Sequence, residues 1–116
     1  GPYIDGDMAD FGARMARIMV SKQRSAGYHP MIALLRSASS ADALPSLQHA
    51  YRRQILEPLA ARLRGAGAAE RAGLIAAQLA GFDVIVNVLG LRLGSGRTMR
   101  RLQRTLAKSI QALVDP

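Results

Sequence analysis

The sequence predicts an all-α domain, and three observations carry that reading. Apolar residues recur three and four apart in segment after segment, no Val, Ile or Tyr alternation bounded by hairpin dipeptides appears, and glycine and proline fall between the striped segments. At 116 residues the chain is one domain by length. It can bury about 65% of the surface its unfolded form exposes, so a core needs no staples. The absence of cysteine removes disulfide frameworks, Cys-ligated zinc, iron–sulfur clusters and thiol nucleophiles, and fits a reducing, cytoplasmic setting. Gly1-Pro2 has the form of a tag-cleavage remnant and is set aside, which leaves residues 3–116 as the domain.

Five helices follow in order. The first spans about Asp5 to Arg24, with Met8, Phe11, Met15, Ile18 and Met19 on one face and Ala26-Gly27 as its stop. The second starts at His29-Pro30, where proline suits a first turn, and carries Met31, Ile32, Leu34 and Leu35 up to Ser39-Ser40. The third begins near Asp42, with Ser39 and Asp42 spaced as a capping box. Its stripe is Leu44, Leu47, Tyr51, Ile55, Leu59 and Leu63, and Pro58 inside it predicts a bend near Gln54, because proline deletes a backbone hydrogen bond there. Gly65-Ala66-Gly67 is the next turn. The fourth helix runs from about Ala69 to Leu93 and ends at Gly94-Ser95-Gly96, after which Ser95 or Thr98 caps the fifth, striped by Met99, Leu102, Leu106, Ile110 and Leu113.

The fourth helix is the most informative segment. From Leu74 to Leu91 it is apolar on nearly every face, with Asp83 and Asn87 stacked four apart on a narrow strip. Such a helix must be covered on both sides. A membrane span would put Asp83 near the bilayer centre at about 3 kcal/mol, and a buried strand would have no strand partner. The remaining explanation is a second copy of the chain against Gly81, Val84, Ile85 and Val88, with Leu102, Leu106, Ile110 and Leu113 of the fifth helix completing a four-helix dimer seam.

Three quoted segments, HPMIALLRSASS (29–40), QILEPLAARL (54–63) and AAQLAGFDVIVNVLGL (76–91), occur in an order that resembles the C-terminal effector-binding and dimerisation domain of TetR-type transcriptional repressors. The resemblance covers most of the chain from His29 to about Leu93. It implies a homodimeric five-helix regulatory domain that holds a small apolar effector and needs no cofactor. Operator DNA is bound, on this expectation, by an N-terminal helix-turn-helix domain that this chain does not contain, since no segment before Asp5 holds a three-helix DNA reader. In such regulators the effector shifts the populations of two dimer states that space the DNA-reading heads differently.

The candidate effector-binding residues are Phe11, Met15, Met19, Tyr51, Ile55, Gln78 and Phe82. The Met-rich face either lines an adaptable pocket or is plain core. Tyr51 and Gln78 bring polar handles into an apolar interior, beside the flat wall of Phe82, with Gln78 either meeting a ligand or hydrogen-bonding a neighbouring helix end. Asp83 pairs with arginine, across the seam or with Arg36, or reads a ligand, and Asn87 meets its twin across the two-fold axis. His29 and His49 have no second ligand at useful spacing. No metal-ligand pattern, paired carboxylates or nucleophile elbow supports an enzyme.

The net charge is +8, with fourteen arginines among sixteen cations. Arg92, Arg97, Arg100, Arg101, Arg104 and Lys108 form a run without an acidic neighbour. A solvated helix face explains them. The competing function is a basic helical interaction module that binds nucleic acid or a protein partner and has no small-molecule pocket.

Overall fold

Turn chemistry places the helices close to where the periodicity puts them. The computed structural model describes residues 6–22, 30–91 and 93–116, and among these only helices and turns occur. Asp7 caps a 3-10 turn, Met8–Asp10, by accepting from the Ala9 N–H at 2.9 Å, and the turn leads into α1, Phe11–Lys22. Helix α2 is Pro30–Ala38, with its proline in the first position. Helix α3 covers 44–62, α4 is Ala68–Val88 and α5 is Gly96–Val114. The expected boundaries of the first helix at Asp5 and Arg24, its Ala26-Gly27 stop, and the start of the second helix at His29 lie outside the described residues.

Three local expectations are corrected. The Ser39–Asp42 capping box does not form: the Ser39 hydroxyl turns back to donate to the Arg36 carbonyl at 2.7 Å, and Ser40 Oγ accepts from the Ala43 N–H at 3.3 Å. Helix α4 stops at Val88 and not at Leu93, because Gly90 takes a left-handed φ of +67° that breaks the ladder earlier. Ser95 holds the N-cap position of α5 without a side-chain bond, and its carbonyl accepts from the Met99 N–H at 2.9 Å.

Proline acts on α3 through register. The helix consists of Leu44–Tyr51, a π-helical turn Arg52–Leu56, and Glu57–Arg62, with the Glu57 N–H reaching back five residues to the Arg52 carbonyl. Pro58 has no N–H for the Gln54 carbonyl and crowds it, and one inserted residue relieves the conflict. The rod continues, rotated by one position. A second π-helical turn, Asp83–Val88, ends α4, where the Leu89 N–H bonds the Val84 carbonyl at 2.8 Å. It coincides with the β-branched run Val84-Ile85-Val86, whose side chains crowd an α-helical ladder.

The core lies between α1, α3, α4 and α5. Phe11, Met15 and Met19 meet Leu59 and Leu63, Ala72 and Ile75, and Ile110 and Val114. Helices α1 and α5 approach most closely at Gly12, where an added Cβ would sit 2.3 Å from the Ala107 carbonyl oxygen. The Gln111 amide fastens this crossing, accepting from the Gly12 N–H at 2.8 Å and donating to the Met8 carbonyl at 3.0 Å. Buried Arg71 ties the α3–α4 turn to the end of α5. It donates to the Ala66 carbonyl at 3.0 Å, to Leu113 at 2.8 Å and Val114 at 3.3 Å, and also to the Arg64 carbonyl. At the α5 end the clasp meets Leu113 and Val114 carbonyls of the last helical turn, which have no intrahelical partner.

The molecule measures 41 × 35 × 20 Å. A helix with its side chains is about 10 Å across, so the thin dimension holds two layers. Two layers cannot surround α4.

Candidate ligand cleft and dimerisation face

An apolar cleft of about 300 Å³ opens between α2 and α3. Leu34, Leu35 and Ala38 form the α2 wall, and Leu44, Leu47, Gln48 and Tyr51 the α3 wall, with Arg52 and Leu56 contributed by the π-helical turn. The register change decides this last pair. In an α-helix Ile55 would follow Tyr51 on the same face, whereas one inserted residue brings Leu56 there instead. Ile55 is half-buried and lies off the cleft.

Polar groups are confined to one strip, Gln48, Tyr51 and Arg52, which share a face at spacings of three and four. Burial pushes the Tyr51 phenol above its ordinary value, so it is a neutral donor at physiological pH. A second depression, lined by Asp7, Met8, Ala9, Arg62, Arg64, Val114 and Asp115, is polar, and two of its groups are already employed. Asp7 caps the first turn, and Asp115 accepts from Gln111 at 2.8 Å.

Of the candidate effector residues, only Tyr51 lines the cleft. Phe11, Met15 and Met19 are buried in the core, and Phe82 packs against its edge. Gln78 accepts from the Ser109 hydroxyl at 2.6 Å and so links α4 to α5. Sequence reasoning missed Leu34, Leu35, Leu44 and Leu47 as lining. Their signal was two adjacent leucine-rich segments on a short α2–α3 hairpin, α2 being too slight to close over α3.

Asp83 is buried at 3% exposure and accepts from Asn87 Nδ2 at 2.6 Å; the same amide donates to the Met19 carbonyl at 3.1 Å. The expected Arg36 partner is exposed, and among the described residues no ion pair joins it to Asp83. Asn87 therefore holds the end of α1 to α4 within one protomer. It does not reach a twin through these bonds.

The outer face of α4 is apolar and uncovered. Leu74 is 54% exposed and Ile85 44%, with exposed Ala77 and Gly81 between them. A Cβ at Gly73 or Gly81 would meet nothing within 4 Å. Val84 and Val88 are half-buried beside this face, and Leu102, Leu106 and Leu113 are half-buried on α5. Ile110 is fully buried in the protomer's own core and presents no surface. The cations Arg97, Arg100, Arg101, Arg104 and Lys108 are all exposed on a different sector of α5, and Arg92 lies outside the described residues.

An all-helical domain with an apolar cleft near one end and a bare apolar helix face along one side has the layout of a helical regulatory domain. Residues 9–114 match the family described as tetracyclin repressor-like, C-terminal domain. The chain belongs to the TetR family of transcription regulators, as a C-terminal regulatory domain. No curated protein and no solved structure gives a significant match.

Proposed function

We propose that this domain is the ligand-sensing and dimerisation part of a cytoplasmic TetR-like repressor. A small apolar effector occupies the cleft between α2 and α3, and a second copy covers α4. Operator DNA is contacted by a helix-turn-helix domain outside this chain. The observation that carries the reading is the bare face of α4. A helix long and apolar enough to cross a membrane by length and composition has a third of its apolar window buried here. Arg71 and Asp83 are both engaged inside the protomer, which favours a protein partner over lipid. Contiguous exposed apolar surface of this kind marks an association site.

Sedimentation velocity tests the reading. The wild-type domain is expected to sediment as a dimer and Ile85→Arg as a monomer, because two buried arginines would face each other across a two-fold axis. A wild-type monomer at tens of micromolar sinks the proposal. The basic face of α5 supports a second reading, nucleic-acid binding, in which affinity for duplex DNA falls steeply as salt rises. Burial of an effector's apolar body in the cleft responds far less to salt than that.

A further inference from the structure

The cleft carries information about the chemistry of its occupant. Its walls are leucine and alanine, and among the described residues its lining includes one cation, Arg52, and no carboxylate. Among the described residues Arg52, Gln48 and Tyr51 side chains make no hydrogen bond or ion pair, whereas the buried Arg71 is fully engaged with backbone carbonyls. Three donors are thus grouped at one edge of an otherwise apolar surface. The π-helical turn brings the guanidinium and Leu56 to the same opening.

We propose that the cleft binds an amphipathic monocarboxylate, its apolar body lying along Leu34, Leu47 and Leu56 and its carboxylate held by Arg52 with help from the Tyr51 hydroxyl and the Gln48 amide. This rests on the sensor reading and deepens it. A planar guanidinium matches a carboxylate with two parallel N–H···O bonds. A neutral phenol donates a third. An ammonium head would meet Arg52 with like charge, and a neutral alcohol would lose the charge-assisted bonds. Apolar contact with the body supplies affinity common to all three head groups.

Isothermal titration with decanoate, decanol and decylamine, each below its micelle concentration, tests this on wild type, Arg52→Gln and Ala38→Phe. Both substituted positions are exposed, so folding is spared. Decanoate is expected to bind about tenfold tighter than decanol, since a charge-assisted bond retains that much at a part-exposed site. The advantage disappears in Arg52→Gln, and all binding disappears in Ala38→Phe, where the ring fills the cleft. If decanol matches decanoate in wild type and Ala38→Phe abolishes both, the carboxylate assignment is overturned while the sensor reading stands. Decanoate binding that survives Ala38→Phe places the anion elsewhere and overturns the proposal. Failure of all three to bind removes the proposal together with the cleft as a sensing site.

Discussion

Replacing Arg71 with methionine keeps the length of the side chain and removes every donor. In the folded protein the guanidinium serves four carbonyls, two in the α3–α4 turn and two at the C-terminal end of α5, positions 64 and 66 against 113 and 114. A net bond to a charged group contributes about 1.5 kcal/mol at the low end. The turn carbonyls regain water when the donor is lost and the α5 carbonyls do so only in part, which leaves a loss of about 2–3 kcal/mol. Urea denaturation followed by circular dichroism reads this as a lower midpoint at unchanged slope. Melting should fall by about 10 °C for a domain of this size. Arg71→Lys recovers only part, because one ammonium cannot span carbonyls on both sides of the clasp. A methionine variant within about 0.5 kcal/mol of wild type, the scatter of ordinary surface changes, or a lysine variant equal to wild type, refutes the clasp.

Two further outcomes follow from the same geometry. Gly12→Ala drives a methyl group into the Ala107 carbonyl, and separating α1 from α5 should cost about 1–3 kcal/mol; an unchanged denaturation midpoint would show that the crossing yields freely. Tyr51 holds its proton more tightly folded than unfolded, since burial raises its value. Its contribution is complete below the ordinary tyrosine range and is lost as pH climbs through the raised value. Stability measured across the alkaline range should therefore decline less steeply in Tyr51→Phe than in wild type, and equal slopes would show that Tyr51 is not desolvated.

Much of the molecule is legible in its sequence. Helical spacing in Leu44, Leu47, Leu59 and Leu63, with glycine at 65 and 67, was enough for α3 and the turn after it, because both signals are local. The unusual character of α4 was legible for the same reason: its composition leaves no polar face to give to water. Gln78 illustrates the limit. Its polar amide reads equally as a ligand handle or as a bond to a neighbouring helix; its Oε1 accepts from Ser109, a residue thirty-one positions away, and that partner is invisible to periodicity.

The sequence by itself determined the helical class, the number of helices and the apolar character of α4 on nearly every face, since these depend on residue spacing and hydropathy alone. Tertiary structure decided which stripe becomes core and which becomes cleft. Phe11, Met15 and Met19 are enclosed because α3, α4 and α5 converge on them. Leu34, Leu35 and Leu47 instead line the open cleft between α2 and α3. Proline at 58 then chose Leu56 over Ile55 for the cleft by adding a residue to one helical turn. Side-chain chemistry sets what a face prefers, but only the packing of distant segments sets what that face meets.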